Sequence, residues 1–193
     1  MVCLAARLVD SHPLHVNGQH VNERTFVALD GSGAISAWGD PTFGGSGAPS
    51  GGGFVTIAST HSAFAALHSS GTISVWGDPS NGGNTTSMWG FAGGYDAPSG
   101  GGFVNIYSTR SAFAALHSSG TISVWGSAGG YGAPSGSGFV TIYSTSQAFA
   151  ALDGSGAISA WGSGGGSGAP SGSGFVNMYS TKFAFAALDG SGA

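Results

Sequence analysis

Residues 63–77 read Ala63-Phe64-Ala65-Ala66-Leu67-His68-Ser69-Ser70-Gly71-Thr72-Ile73-Ser74-Val75-Trp76-Gly77. Two short apolar runs flank the polar tetrad His68-Ser69-Ser70-Gly71. Small polar side chains bond the local backbone and glycine tolerates φ above zero, so the tetrad predicts a hairpin turn between two strands. Alanine favours helix, but five residues ahead of a glycine turn are too few to nucleate one. Strand is the better reading for 63–67 and for 72–76. Upstream, Phe54-Val55-Thr56-Ile57-Ala58-Ser59 is rich in β-branched and aromatic residues and bounded by glycines on its left, which predicts a further strand.

Alternation assigns the faces. Positions 63, 65 and 67 share one face and 64 and 66 the other, and both are apolar. In the last strand Ile73 and Val75 oppose Trp76 in the same way. A sheet that is apolar on both faces must be covered on both. The cover is supplied by repetition. Phe-Ala-Ala-Leu recurs at 64–67, 113–116, 149–152 and 185–188, with Phe-Val-Ala-Leu at 26–29. Gly-Phe-Val precedes it at 53, 102, 138 and 174, and Ile-Ser-x-Trp-Gly follows with Trp38, Trp76, Trp125 and Trp161. Small sheets leaning on copies of themselves form a β-propeller if stacked radially and a β-solenoid if stacked linearly. The spacing between tryptophans is 36 to 38 residues, apart from one gap of 49 after Trp76. A period near 36 suits a propeller blade better than a solenoid coil. The expected fold is therefore all-β: a propeller-like open arc of about four to five small antiparallel blades, with a β-solenoid as the alternative.

The long gap carries an extra Trp-Gly at Trp89-Gly90, so a stretch at about 77–89 reads as an insertion that bulges from a loop. Residues 1–24 read as a degenerate N-terminal segment, with Val16 to Thr25 as a candidate first strand. Residues 25–193 read as the tandem blades, the last one truncated. That arrangement leaves terminal sheet faces uncapped and predicts self-association.

The pattern Ala-Leu-x-x-x-Gly-x-Ile-Ser-x-Trp-Gly resembles the repeats of the regulator of chromosome condensation family. The likeness runs from about Thr25 to Ala193. The short unit is similar to the three-stranded blades of the secreted bacterial β-lactamase inhibitor that shares this repeat. It departs from the family pattern where Ser70, Ser119 and Ser155 replace the aspartate before the turn glycine, and where a Gly/Ser/Pro loop replaces Gly-Gln-Leu-Gly. The resemblance implies a propeller, typically a closed ring of seven blades. It also implies a binding role, since family members act as a nucleotide-exchange factor for a small GTPase, as recognition domains of ubiquitin ligases and as an enzyme inhibitor. No contact residue of those activities transfers, because the matching loops here are Gly/Ser.

Composition narrows the chemistry. Of 193 residues, 38 are Gly, 6% are charged, and 12 Phe, 5 Trp and 5 Tyr supply the bulk. Ordinary domains carry about 7% Gly and about a quarter charged residues. Four Lys and Arg build no nucleic-acid footprint. No apolar run approaches the roughly 18 residues of a membrane span. Cys3 has no cysteine to pair with, and His12, His15 and His20 lack metal-ligand spacing. Glu23 is the only glutamate, and neither G-x-S-x-G nor H-E-x-x-H occurs. The Gly-rich loops lack the helix and lysine of a phosphate cradle. An enzyme, a cofactor or a metal site is not expected, and the compartment stays open. Asn84-Thr85-Thr86 is a glycosylation sequon that matters only in a secreted chain. The expectation is a non-enzymatic interaction scaffold with an unidentified protein partner; the alternative is an extracellular Gly/Ser-rich structural or adhesive protein. Trp89, Phe91 and Tyr95 make the inserted loop the most aromatic one, and His68 and His117 stand where other units carry Asp30, Asp153 and Asp189. These five aromatic and histidine residues are the candidate partner-binding positions, each weighed against a purely local packing or turn role.

Overall fold

The computed structural model describes residues 21–83, 96–127, 132–163 and 167–191. Among them are thirteen strands: β1 (Thr25–Leu29), β2 (Ile35–Gly39), β3 (Phe54–Ser59), β4 (Ala63–His68), β5 (Ile73–Gly77), β6 (Phe103–Ser108), β7 (Ala112–His117), β8 (Ile122–Gly126), β9 (Phe139–Ser144), β10 (Ala148–Asp153), β11 (Ile158–Gly162), β12 (Phe175–Ser180) and β13 (Phe185–Asp189). They form three three-stranded antiparallel sheets, β3-β4-β5, β6-β7-β8 and β9-β10-β11, between two-stranded sheets β1-β2 and β12-β13. The Ala-rich strand is central in each complete sheet. The only helical turns among the described residues are 3-10 turns at Pro41–Phe43 and Pro79–Asn81, each capped by the aspartate before it. Registers repeat: Phe64 faces Trp76, Phe113 faces Trp125 and Phe149 faces Trp161.

One device was not visible in the alternation. The first strand of each of the four later sheets slips register by one residue, between Phe54 and Thr56, Phe103 and Asn105, and Phe175 and Asn177, and likewise opposite Leu152 and Asp153. The extra residue is a valine every time, Val55, Val104, Val140 or Val176, and each stands more than half exposed. This β-bulge rephases the strand. Phe54 and Ile57, three apart, then point to the same side and join Phe64 and Trp76.

The sheets pack heterologously. The face of Ala63, Ala65, Leu67, Ile73 and Val75 meets Phe103, Ile106, Phe113 and Trp125 of the next sheet. The same pairing of faces recurs with Ala112, Ala114, Ile122 and Val124 against Phe149 and Trp161. Phe and Trp stack within each sheet at centroid distances of 5.2, 5.1 and 5.4 Å. Trp76 and Trp125 also donate their indole N–H to Gly44 O (3.0 Å) and Gly82 O (3.2 Å) of the preceding loop, so the polar end of each buried ring is satisfied. Glycine is required there: a Cβ on Gly82, whose φ is +92°, would lie 2.7 Å from the Phe113 ring.

Successive first strands approach one another, and β3, β6 and β9 also meet the Ala-rich strand of the sheet before, whereas third strands make no comparable contact with each other. The sheets therefore splay like blades, and five of them make an open propeller-like arc. Backbone hydrogen bonds lock the joints. Phe54, Phe103, Phe139 and Phe175 N–H groups donate to Gly33, Gly71, Gly120 and Gly156 carbonyls of the sheet before. Near the opposite sheet ends, His61 donates to Arg110 O, Arg110 to Ser146 O and Ser146 to Lys182 O, at 2.8 to 3.0 Å.

At the ends of the arc the seam residues are uncovered. Phe26 and Trp38 still stack, at 5.9 Å, but are 67% and 50% exposed. Tyr179 and Leu188 are exposed on the far face of the last sheet. Trp125→Ala should therefore lower stability by about 3–5 kcal/mol, as for a buried large aromatic. Trp38→Ala should cost well under half of that, because much of its surface is already wet. Denaturant unfolding of the two variants side by side checks both values; equal losses would contradict the seam.

Candidate interaction rim

The hairpin turns place Asp30, His68, His117, Asp153 and Asp189 at the same end of five successive sheets. In Asp153, Oδ1 accepts from Ser155 N (2.8 Å), Ser155 Oγ (2.7 Å) and Ala157 N (2.9 Å). Asp30 does the same with Ser32 and Ala34, and Asp189 holds Ser191. The serine hydroxyls first, and the turn amides with them, hold the Asp30 and Asp153 carboxyls below the usual carboxylate range. The carboxylate is thus a fixed acceptor of the turn.

His68 and His117 reproduce that acceptor with a ring nitrogen. Ser70 N donates to His68 Nδ1 at 3.1 Å and Ser70 Oγ lies 2.8 Å from it; Ser119 repeats both contacts on His117. Accepting an amide N–H at Nδ1 places the proton of a neutral ring on Nε2. The rings are wedged by their own sheets. His68 meets Phe54 edge-on at 5.4 Å and His117 meets Phe103 at 5.5 Å. A Cβ on Gly53 or Gly102 would strike the Nε2 side of these rings, while the matching Gly138 and Gly174, in Asp units, have open space. The imidazole fills space beside the first strand that the shorter aspartate leaves open. Both residue types solve the same turn.

Trp89, Phe91, Tyr95 and the sequon asparagine Asn84 lie outside the described residues, as do Cys3, His12, His15 and His20. Among the described residues no three His, Cys, Asp or Glu side chains converge to hold a metal ion. No helix among them is long and apolar enough to cross a membrane.

The opposite end of the sheets carries residues that sequence reasoning passed over. Arg24 lies 3.8 Å from Asp40 and 4.7 Å from the centroid of the Phe43 ring. Thr42, through its hydroxyl first and then its amide, lowers the Asp40 pKa. His61 presents a buried Nδ1 3.6 Å from a Glu23 carboxylate oxygen and its ring edge to Phe43. Nothing in the repeat marks His61, because Arg110, Ser146 and Lys182 occupy the same place and the shared contact is made by backbone.

The depressed Asp30 and Asp153 values fix a sign. Their contribution to stability is fully present above the unfolded value of about 3.9 and is lost as the pH falls through the lower folded value. The melting temperature should accordingly decline below about pH 4. The double variant Asp30→Asn/Asp153→Asn keeps the acceptor oxygens without the titration, so its acid limb should be shallower. Melting curves from neutral pH down into this range test it; identical limbs would show that the turns do not couple to folding.

No family model matches the chain, and no curated protein matches it significantly. Solved structures do. The ectodomain of the Physcomitrella patens receptor kinase CR4 is similar with a TM-score of 0.52 and 18% identity, over 74% of this chain and 39% of that one. The CRINKLY WD40 ectodomain of the Arabidopsis thaliana receptor kinase ACR4 gives 0.55 and 14%, over 82% and 53%. Prp20p of Saccharomyces cerevisiae, whose structure was described with its binding to Gsp1p and histones, gives 0.54 and 14%, over 74% and 44%. The chain spans between about two fifths and just over half of these structures. At such identities the likeness concerns fold, and it is to propellers that the arc of short sheets is similar.

Proposed function

We propose that the chain is a non-enzymatic protein-interaction scaffold, built of regulator-of-chromosome-condensation-like repeats and forming part of a larger protein. It engages a protein partner through the hairpin rim and the aromatic loop around Trp89, Phe91 and Tyr95. The observation that carries this reading is the contrast between seams and rim. The seam residues repeat almost unchanged from sheet to sheet, whereas the rim position switches between His and Asp while the turn beneath it is kept. A frame that holds constant while its exposed positions vary suits recognition. The Saccharomyces cerevisiae neighbour, described as binding Gsp1p and histones, is a precedent for protein partners on such a frame.

The rim can be altered without breaking the turn. His68→Asp/His117→Asp copies the other units, and Trp89→Ser/Phe91→Ser/Tyr95→Ser strips the aromatic loop. Partners captured by the tagged wild-type chain should be lost from at least one of these variants while circular dichroism stays unchanged. Full retention by both would overturn the rim as the binding surface.

A second reading, an extracellular Gly/Ser-rich structural or adhesive repeat protein, draws on the uncovered arc ends. Phe26 and Trp38 belong to the face that covers a preceding sheet elsewhere, and Tyr179 and Leu188 to the face that receives a following one. Two copies joined end to end would reproduce an internal seam, a heterologous contact that does not close on itself. Sedimentation velocity should show mass rising with concentration, and Trp38→Lys should hold the chain as a monomer. A wild-type chain that stays monomeric throughout excludes this association.

A further inference from the structure

Glu23, His61, Arg110, Ser146 and Lys182 hold one position in five successive sheets. The first four each lie two residues before the start of the register that pairs Thr25, Ala63, Ala112 and Ala148 with Gly39, Gly77, Gly126 and Gly162. Along this row the charge reverses. Glu23 stands beside His61 at 3.6 Å. Asp40 and Asp78 flank the row in the first two sheets, bonded through their amides to Arg24 O and Ser62 O. At the same contact the next two sheets carry Ser127 and Ser163, bonded to Ser111 O and Gln147 O. Carboxylates thus give way to hydroxyls where Arg110 and Lys182 enter. Both cations are exposed, and among the described residues neither has a carboxylate within 4.0 Å, whereas Arg24 is committed to Asp40 and Phe43. Lys182 Nζ lies 5.1 Å from the centroid of the Phe183 ring, which leaves its charge unneutralised. Ser146 sits between the two cations. Its carbonyl accepts from Arg110 N–H and its N–H donates to Lys182 O. The residue is 5% exposed, yet its hydroxyl makes no hydrogen bond among the described residues. Covered hydroxyls normally have partners.

We propose that Arg110, Ser146 and Lys182 form a docking site for a phosphoserine or phosphothreonine in an extended segment of a partner protein. Hydrogen-bonded backbones lie about 5 Å apart, so the two cationic residues stand on the order of 10 Å from each other across Ser146. Equivalent positions of a repeated turn direct their side chains alike, and both are long enough to close on one group above the serine. The phosphoryl group carries roughly two negative charges at neutral pH and three acceptor oxygens. Charge and donors match it. The guanidinium offers a bidentate fork, the ammonium a point charge, and the Ser146 hydroxyl a donor to the remaining oxygen. A nucleic acid or an anionic membrane needs a broad basic face. Here the basic stretch is two residues wide, and Glu23, Asp40 and Asp78 lie at the same end of the sheets. A lone carboxylate brings one charge and leaves one cation unmatched. The site is at the opposite sheet end from the hairpin rim and does not depend on a partner bound there.

The test uses the full 193-residue chain and the peptide Ala-Ala-phosphoserine-Ala-Ala in isothermal titration calorimetry. Binding should be saturable and should weaken as salt is raised. The same peptide with serine or glutamate in place of phosphoserine should bind about tenfold more weakly, the loss expected for a charge-assisted contact. Inorganic phosphate should compete, but less strongly, since a flanking chain adds contacts along the open row. In the protein, Arg110→Ser copies the residue already present at Ser146 and should lower affinity about tenfold with the melting curve kept. Lys182→Ser should do the same, and Ser146→Ala should weaken binding by a smaller factor. Arg24→Ser removes a cation that is already paired and should leave binding unchanged. The peptide series on the wild-type chain decides the matter even if a variant does not fold. No saturable heat at millimolar peptide, equal binding of the serine peptide, or an equal loss from Arg24→Ser would overturn the site. Equal affinity for inorganic phosphate would overturn the protein segment as its occupant.

Discussion

The constraint on which the rest depends is that the described sheets are apolar front and back. The three inner ones hide both faces only by pressing one on the successor and the other on the predecessor. The contact is asymmetric: small side chains and aliphatic tips on one side, a stacked phenylalanine and tryptophan on the other. Asymmetry gives direction, and repetition of a directed contact gives an arc. The bulged valines and the indole-to-carbonyl bonds serve the same seam, the first by turning Phe54 and its equivalents inward, the second by satisfying the one polar atom of the large ring.

Polar groups are handled just as locally. With so few charged side chains, the backbone must find most of its partners in backbone and hydroxyls. The turn aspartates spend one carboxylate oxygen on their own turn, and the histidines do the same with one ring nitrogen. Joints between sheets are bridged by amides and carbonyls. As a result, the identity of a side chain at a joint matters less than whether its neighbour leaves room for the main chain to come close, as at Gly82.

Much of this was legible beforehand because the sequence states it several times over. The three strands of the unit appear where the β-branched runs and the turn tetrad place them; β4 extends to His68, and β5 runs from Ile73 to Gly77. The facing of Phe64 against Ala65 also follows from alternation. What alternation could not show is the slip at Val55, since an inserted residue in a strand reads like any other apolar position. Nor could it show His61, Arg110, Ser146 and Lys182 as one series, because backbone atoms make their contact and side chains carry no trace of it.

The chain of amides through His61, Arg110, Ser146 and Lys182 has a consequence for how such a protein changes over time. Four neighbouring positions sit on a stiff support that ignores what they carry, so substitution there alters the surface and leaves the support alone. Cationic, imidazole and hydroxyl groups already share the row. A molecule arranged in this way can acquire a new binding preference by drift at a few places, without first loosening its architecture.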